Sequence, residues 1–337
     1  LAFGTIDTWI IWKLTNGKTH ATDHTNASRT LLYNINSFNW DQELLEIFNI
    51  HKSLLPSIKK SSSNFGYISK KIFDSRIPIN GVAGDQQASL YGQTGFNTGT
   101  IKCTYGTGCF LLINTGRKRI NAQNMGLITT IACDQNGNPC YSIEGSIFMG
   151  GAIIQWLRDE LQIIKSANET EKIAKSISNT NNVYIVPAFT GLGAPYWDMN
   201  ARGTITGLTR STNKDHIIRA ALEAITFQVN DLLKLIHHNL GLKIKTLFVD
   251  GGASKNNFLM QFQSDISNIE IERSQCIEST ALGVAFLAGL NTKFWENSQK
   301  FKDLKIKDKI FKPTIPRSKV KKFLKNWDKA IKHTLTK

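Results

Sequence analysis

The sequence predicts an α/β protein with two domains, and three observations support this fold class. The chain has 337 residues, which is more than one ordinary hydrophobic core holds and favours about two domains. Apolar runs of strand length alternate with longer segments of helical periodicity, as in proteins whose helices pack on the faces of a mixed or parallel sheet. A glycine-rich connector follows Gly92. It predicts a boundary between a first domain, residues 1–93, and a second domain, residues 94–337.

The first domain is predicted to contain a helix, a polar loop and a buried strand. Apolar residues at helical spacing predict a helix over residues 5–14. Residues 61–76 are rich in Ser and Lys and predict a surface loop or a hairpin. The apolar run 77–83 predicts a buried strand, after which residues 88–92 have helical character.

The second domain is predicted to begin with a hairpin and to contain one long helix. Two β-like runs, 100–105 and 109–114, flank Gly106-Thr107-Gly108 and indicate a hairpin with a glycine-rich tip. The strongest helical periodicity covers residues 215–239, and Thr212-Asn213-Lys214-Asp215 predicts a capping box before it. Further strands are predicted at 141–143, 183–187 and 246–249, and further helices at 148–161, 256–267 and 281–290.

The composition excludes several classes of protein. Hydrophobic residues make up 41% of the chain and charged residues 20%, which is typical of a soluble globular protein, and no apolar run reaches the length of a membrane-spanning helix. The start of the chain has no secretory signal pattern. The five cysteines are odd in number and form no C-x-x-C pair, so we expect reduced thiols and a cytoplasmic location.

The net charge of +15 raises the possibility of nucleic-acid binding. The charge is concentrated in residues 300–337, which hold 14 Lys or Arg against 3 Asp. Within this tail, apolar residues recur at spacings of three and four, at Val320, Phe323, Leu324, Trp327 and Ile331. The tail is therefore predicted to be an amphipathic helix with a solvated Lys face, and we expect no nucleic-acid partner.

The tetrapeptide Gly84-Asp85-Gln86-Gln87 is the first candidate for chemistry. An Asp at the end of a strand, where open α/β sheets bind ligands, can accept the proton of a substrate hydroxyl group. The same Asp could instead cap the helix that follows it. The tetrapeptide alone leaves both interpretations open.

Two glycine-rich turns are candidates for phosphate binding. Tyr105-Gly106-Thr107-Gly108 lies at the hairpin tip, and Asp250-Gly251-Gly252 lies between a predicted strand and the start of a helix. Glycines admit close approach to an anion, and a helix N-terminus favours negative charge. Each turn could also be ordinary connecting structure, because neither matches a dinucleotide fingerprint or a Walker A loop. No cluster has the spacing of metal ligands, and no G-x-S-x-G elbow suggests a hydrolase.

Two glycine-rich turns and an acid on a third segment fit phosphoryl transfer, in which positioning and charge stabilisation dominate. The motifs then resemble the FGGY carbohydrate kinases, and in particular the members that phosphorylate glycerol. Six motifs in order carry the resemblance: Gly4-Thr5-Ile6-Asp7-Thr8-Trp9, Thr25-Asn26-Ala27-Ser28-Arg29-Thr30, Gly84-Asp85-Gln86-Gln87, Thr104-Tyr105-Gly106-Thr107-Gly108-Cys109-Phe110, Gly191-Leu192-Gly193-Ala194-Pro195-Tyr196-Trp197 and Asp250-Gly251-Gly252-Ala253. Residues 203–208 and 216–223 are similar to the C-terminal signature of that family.

The resemblance implies an actin-like, ribonuclease-H-like pair of domains that bind ATP and glycerol in the cleft between them. It implies that Asp85 is the general base and a glycerol ligand, that Gln86 binds glycerol, and that Phe110 packs on the glycerol carbons. The nucleotide-binding residues that it implies are Thr107, Gly151, Gln155, Gly252 and Asn256. The expected cofactors are ATP and Mg²⁺, the expected products are sn-glycerol 3-phosphate and ADP, and the expected assembly is a homo-oligomer without membrane insertion.

The resemblance also implies an N-terminal segment that this sequence does not contain, so we expect a partial first domain and a complete second domain. Half of the glycerol site is expected to lie in that segment, and the 337 residues alone are expected to have little kinase activity. Two alternatives stay open. One is a kinase of this family for another polyol or ketose, and the other is a partial or decayed protein that retains only nucleotide binding.

Overall fold

The computed structural model describes residues 1–336. Its strands are β1 (Ala21–Asp23), β2 (Tyr33–Asn34), β3 (Asn39–Trp40), β4 (Ser57–Lys59), β5 (Ile101–Tyr105), β6 (Cys109–Gly116), β7 (Ile128–Cys133), β8 (Pro139–Ile147), β9 (Tyr184–Val186), β10 (Thr204–Thr206), β11 (Thr246–Asp250), β12 (Glu270–Ser274) and β13 (Lys307–Phe311). Its helices are α1 (Ile6–Leu14), α2 (His24–Ala27), α3 (Gln42–Ile47), α4 (Asp85–Gly92), α5 (Ala152–Asp159), α6 (Glu169–Ser176), α7 (Lys214–Leu240), α8 (Asn257–Ser267), α9 (Ser279–Asn291), α10 (Gln299–Leu304) and α11 (Arg317–Thr334).

A mixed sheet of seven strands, in the order β13-β12-β11-β5-β6-β8-β7, is the centre of the fold. Strand β11 is parallel to both β5 and β12, and the other neighbours are antiparallel. The predicted hairpin is confirmed, with Tyr105 opposite Cys109. Alternate residues of β5 point to opposite faces, so Ile101, Cys103 and Tyr105 enter the main core, while Lys102 and Thr104 face the other way.

The long helix α7 lies across this core, as its periodicity predicts. Sixteen of its residues are buried, including every residue from Ala220 to Leu233, so the middle of the helix is covered on all sides and not only along its apolar face. The predicted capping box is wrong by one position. The N-cap is Asn213, whose side chain accepts from the backbone of Asp215 and His216, while His216 Nδ1 accepts from the Asn213 N–H at 3.2 Å.

The basic tail forms α11, and its apolar stripe packs against the core as predicted. Val320, Trp327 and Ile331 are buried, and the Trp327 ring stacks on Phe227 with 5.1 Å between centroids. Most of its Lys residues face solvent. The part of the chain that the structure describes has no helix long and apolar enough to cross a membrane.

The predicted buried strand at residues 77–83 is wrong. This segment forms only isolated bridges, Tyr67 to Pro78 and Ser62 to Gly81. Pro78 has no N–H to donate to a ladder. Gly81 lies directly against α9, where an added Cβ would be 2.6 Å from the Val284 carbonyl oxygen. A helix therefore covers this segment where a neighbouring strand would have to pair.

Helices α4 and α9 pack backbone against backbone. A Cβ added at Gly283 would lie 1.8 Å from the Ala88 carbonyl oxygen, and one added at Gly92 would lie 2.1 Å from the Ser279 carbonyl oxygen. Only glycine permits this approach. Because α4 begins at Asp85, the contact fixes that residue relative to the second part of the chain.

Asp231 is a buried carboxylate on α7 that joins α11 to the core. Its Oδ2 accepts from Trp327 Nε1 at 2.6 Å and from the Tyr196 hydroxyl at 2.8 Å. Burial raises the pKa of Asp231 to about 6, although these hydrogen bonds act in the opposite direction. The folded state therefore binds the proton of Asp231 more tightly than the unfolded state does.

The Asp231→Asn variant tests this linkage. A raised folded pKa gives stability that is fully present below the unfolded pKa of 3.8 and is lost as pH rises through about 6. The neutral amide keeps an oxygen acceptor and does not titrate, so the variant should gain stability over the wild type by on the order of 2 to 3 kcal/mol between pH 4 and pH 7.5. Urea unfolding of both proteins across this range measures the difference. Identical pH profiles for the two proteins would contradict the assignment.

Candidate active site

A cavity of about 540 Å³ lies at the carboxyl ends of the neighbouring parallel strands β5 and β11. The two glycine-rich turns form one side of it, and helices α5, α6, α7 and α8 supply the other walls. Open α/β sheets bind ligands at this end of their strands. The five residues predicted to bind nucleotide all line the cavity: Thr107, Gly151, Gln155, Gly252 and Asn256.

The hairpin tip is tied to the N-terminus of α5. The carbonyl oxygen of Thr107 accepts from Gly150 N–H at 2.8 Å and from Ala152 N–H at 3.0 Å, and Gly151 N–H donates to the Gly106 carbonyl oxygen at 2.7 Å. A Cβ on Gly151 would lie 2.9 Å from that Gly106 oxygen. The tip and the helix thus form one rigid corner, from which the exposed Thr107 side chain borders the cavity.

The second turn places a helix N-terminus at the cavity. Gly251 adopts φ +85°, and an added Cβ there would meet the Tyr105 carbonyl oxygen at 2.6 Å. Gly252 follows, and an added Cβ there would meet no heavy atom within 4 Å. Asn256 caps α8 by accepting from Leu259 N–H at 3.0 Å, and its amide donates to Thr170 Oγ1 at 3.2 Å. The turn is therefore closely packed against the hairpin at Gly251 and open toward the cavity at Gly252.

The far wall of the cavity combines one polar edge with an apolar surface. Glu171 on α6 accepts from the backbone N–H of Asn257 at 2.9 Å, which joins α6 to α8. The apolar surface consists of Ile154, Ala167, Leu222, Ile225 and Leu259. An apolar wall opposite two glycine-rich turns suits a ligand with a flat ring at one end and phosphates at the other. Sequence reasoning missed this wall, because its residues have the same pattern as any core face.

Asp85 and Gln86 lie outside this cavity, at the first turn of α4. Asp85 is exposed, and its Oδ1 accepts from Gln86 N–H at 2.8 Å. The backbone carbonyl of Asp85 accepts from Thr280 Oγ1 on α9 at 3.3 Å. Asp85 is therefore accessible to solvent. It is the first residue of α4 and Gly84 is the N-cap, but the Asp85 side chain accepts from a backbone N–H of the first turn, so both interpretations of this residue stay open.

A buried network fixes the residue before Asp85. Gly84 N–H donates to Thr25 Oγ1 at 2.7 Å, and Thr25 Oγ1 donates in turn to Asp23 Oδ2 at 2.7 Å. Asp23 also accepts from Ser61 and Asn26. Burial raises the pKa of Asp23, and these hydrogen bonds oppose the rise. The start of α4 is thus held on one side by the Asp23 network and on the other by α9.

A row of aligned residues, all polar except Phe110, crosses the sheet face beneath Gln86. The ladder register aligns Asp250, Thr104, Phe110 and Ser146 across β11, β5, β6 and β8. Asp250 Oδ2 accepts from Ser89 of α4 at 2.6 Å, whereas its buried Oδ1 has no hydrogen-bond partner among the described residues. Phe110, the predicted wall of the glycerol site, therefore lies on the same sheet face as Asp250.

Lys102 and Glu144 occupy the next row, and sequence reasoning missed both. Lys102 Nζ donates to Gln86 Oε1 and, at 2.8 Å, to Thr104 Oγ1. Glu144 accepts from both terminal nitrogens of Arg29, at 3.0 and 3.3 Å. The available signal was the alternation in β5, where the residues between its buried apolar positions are polar. By itself this alternation predicts a strand with one solvated face, so the burial of Lys102 and Glu144 became visible only in the folded structure.

Sequence profiles of the FGGY family of carbohydrate kinases match most of the chain. The profile of the C-terminal domain matches residues 101–292, and that of the N-terminal domain matches residues 1–92. The chain belongs to the FGGY family of carbohydrate kinases.

Curated members of the FGGY family with high similarity include two bacterial proteins. The chain is 54% identical over 331 residues to the glycerol kinase of Clostridium botulinum (strain Langeland), a match that covers 98% of this chain and 66% of that protein. It is 55% identical over 335 residues to the glycerol kinase of Fusobacterium nucleatum, covering 99% of this chain and 67% of that protein. This chain thus spans about two thirds of the length of these relatives.

Solved structures of the FGGY family confirm the predicted fold class. A structure of Plasmodium falciparum glycerol kinase with ADP has a TM-score of 0.92 and 44% identity, covering 100% of this chain and 67% of that one. A ligand-bound xylulose kinase from Lactobacillus acidophilus has a TM-score of 0.83 and 25% identity, covering 97% of this chain and 66% of that one. The FGGY fold of this chain is actin-like and ribonuclease-H-like.

The Thr25→Val variant tests the network that holds the start of α4. Valine has nearly the shape of threonine but leaves the Gly84 N–H without a partner and removes one of the hydrogen bonds that Asp23 accepts, so we expect a loss of about 1 to 3 kcal/mol in the free energy of unfolding. Hydrogen exchange of the Gly84 amide should become faster. Thr25→Ser retains the hydroxyl group and serves as the control. Equal exchange rates in the valine and serine variants would contradict this role of Thr25.

Proposed function

We propose that this chain carries the catalytic half-site of an ATP-dependent kinase that phosphorylates glycerol to sn-glycerol 3-phosphate, with Asp85 as the general base. One observation carries the proposal. The helix that begins at the exposed Asp85 is hydrogen-bonded to the sheet that carries the glycine-rich cavity. Ser89 of this helix donates to Asp250, and Gln86 accepts from Lys102. The glycerol kinase names of the relatives at 54% and 55% identity support glycerol as the substrate.

The proposed nucleotide site is the cavity between β5 and β11. The adenine ring would lie against the apolar wall that includes Leu222 and Ile225, and the phosphates would lie along the two turns. Thr107 and Gly252 would approach the phosphates, and Gly151, Gln155 and Asn256 would complete the site. Backbone N–H groups at glycine turns and helix starts offset phosphate charge without reorganising during the reaction.

The proposed glycerol site is the surface formed by Asp85, Gln86 and Phe110. Asp85 would accept the proton of a terminal hydroxyl group as that oxygen attacks the γ-phosphorus of ATP in line. Gln86 would hold a second hydroxyl group, and Phe110 would contact the carbon chain.

The residues present fit a Mg²⁺ ion that reaches the site with ATP. Asp250 Oδ1 is a buried carboxylate oxygen without a partner in residues 1–336, and Mg²⁺ prefers a few carboxylate ligands together with water and phosphate oxygens. No group of three or more His, Cys, Asp or Glu in these residues could hold the metal by protein ligands alone. When bound, Mg²⁺ would neutralise charge on the transferred phosphoryl group.

We propose that the domain boundary lies at residues 93 and 94. The family profiles end at residue 92 and resume at residue 101, and residues 94–100 contain no helix or strand. We also predict that the protein is a cytoplasmic homo-oligomer. The charge distribution, with its excess on the solvated face of α11, supports small-molecule partners over nucleic acid.

The Asp85→Asn variant tests the general base. Loss of the proton acceptor should reduce kcat by roughly 100- to 10,000-fold, while ATP affinity stays within about threefold. The assay follows ADP release in the full-length gene product, because the chain spans only 66% of the length of its C. botulinum relative. The exposed Asp74 provides a matched control as Asp74→Asn. Substantial turnover in Asp85→Asn would show that another group takes the proton.

A panel of glycerol, other polyols and ketoses identifies the substrate of the wild type.

The Gly252→Val variant tests the nucleotide cavity. A Cβ added at Gly252 meets no heavy atom within 4 Å, and the backbone there is not in the left-handed region, so valine should fill ligand space without affecting the fold. We expect ADP to bind roughly tenfold more weakly or worse, by calorimetry, with an unchanged melting temperature. Ala285→Val adds a valine on the exposed face of α9 as the control. Unchanged ADP affinity in Gly252→Val would place the phosphates elsewhere.

A further inference from the structure

Lys102 is a fully buried lysine directly beneath the proposed glycerol site. Its side chain has 0% relative exposure, although lysine is rarely buried without a partner. Nζ donates to Gln86 Oε1 and, at 2.8 Å, to Thr104 Oγ1. The mechanism above gives this cation no task, so its retention in the interior requires an explanation.

Burial and nearby carboxylates act in opposite directions on the Lys102 ammonium group. Burial lowers the pKa of Lys102, while the nearby carboxylates of Asp250, Asp85 and Glu144 raise it. Asp85 and Asp250 both belong to the proposed site. The ammonium group is therefore part of the same electrostatic unit as the proposed base and is more than a filler of the core.

The contact with Lys102 fixes the orientation of the Gln86 side-chain amide. The structure places Gln86 Oε1 against Lys102 Nζ, and the ammonium form of lysine, with three donors and no acceptor, holds an amide in this orientation. The Gln86 oxygen thus points inward to Lys102, and the NH₂ group points the other way. Gln86 Nε2 makes no hydrogen bond to any residue among 1–336, and Gln86 is half-buried beside the exposed Asp85.

We propose that Lys102 is a positioning residue that holds Gln86 with its NH₂ group toward the cleft, where it donates to a hydroxyl oxygen of the polyol substrate. This inference rests on the proposed function and deepens it. Asp85 supplies an acceptor and Gln86 supplies a donor, side by side. Two neighbouring hydroxyl groups of a polyol can donate a hydrogen bond to Asp85 and accept one from Gln86, so Asp85 and Gln86 together match a polyol. A ligand without a hydroxyl oxygen at the second position would leave the amide donor unpaired, and such a site rejects it.

Two single variants in the full-length gene product test the direction of the amide. Gln86→Glu keeps an oxygen for Lys102 but removes the donor, so the KM for glycerol should rise roughly 10- to 100-fold. Lys102→Met frees the amide to rotate and should raise the same KM, with kcat within about threefold and the KM for ATP unchanged. Wild-type glycerol KM in Gln86→Glu would show that the carbonyl oxygen faces the substrate and would overturn the proposal.

A double-mutant cycle separates positioning from general stabilisation. If Lys102 acts through Gln86, Lys102→Met in a Gln86→Ala background should raise the KM for glycerol no further. Additive effects, or a fall in kcat at constant KM, would overturn the proposal and assign Lys102 to charge stabilisation. Lys102→Met removes a buried cation and two hydrogen bonds. The melting temperature and ADP affinity of this variant are therefore measured first. If this variant does not fold, the Gln86→Glu result decides.

A spectroscopic test does not depend on turnover. With ¹⁵N-labelled glutamine, the side-chain NH₂ signal of Gln86 is assigned by its disappearance in Gln86→Glu. In the wild type this signal should be a single sharp pair that shifts on addition of glycerol, and in Lys102→Met it should broaden or move. An NH₂ signal that Lys102→Met leaves unchanged would overturn the proposal, even if the wild type phosphorylated a different polyol. A wild type that phosphorylates no polyol but retains the Lys102-dependent signal would contradict the proposed function alone.

Discussion

The direct backbone contact between α4 and α9 is the constraint on which the rest of the site depends. At Gly283 and Gly92 each helix lies so close to the other that a Cβ would overlap a carbonyl oxygen. This contact sets the height of α4 above the sheet, and α4 carries both Asp85 and Gln86. Ser89 then reaches Asp250 at 2.6 Å, and Gln86 reaches Lys102. A helix held a few ångströms farther away would break every one of these links.

Charge is the second organising feature, because the covered sheet face is polar. Asp250 and Lys102 lie on the adjacent strands β11 and β5, Glu144 lies on β8 with β6 between, and Arg29 reaches Glu144 from the first domain. Buried charges are tolerated only when they are paired and hydrogen-bonded. The Arg29–Glu144 pair joins the first domain to the sheet. Within residues 1–336, Asp250 Oδ1 and Gln86 Nε2 have no hydrogen-bond partner. In a network that is otherwise satisfied, free polar atoms mark the positions that a ligand would fill.

Local rules in the sequence accounted for the turns and for the long helices. The hairpin tip at residues 106–108 and the helix over 214–240 follow from glycine placement and from a 3.6-residue period, both of which act over a few neighbouring residues. The same rules failed at residues 77–83, where an apolar run reads as a strand but lies against α9. They also misplaced the cap of α7 by one residue, since Asn213 and Thr212 both suit that role.

The sequence by itself determined the family, the two glycine-rich turns and Asp85 as the candidate base, because each depends on residue types at short, fixed spacing. Only the tertiary structure decided what these groups face. Lys102 meets Gln86 across 16 residues, Arg29 meets Glu144 across 115, and Ser89 meets Asp250 across 161. Contacts over such separations depend on how strands order within the sheet and how closely α4 and α9 approach. Neither quantity is encoded in any local pattern, so the buried lysine and the apolar cavity wall emerged only with the fold.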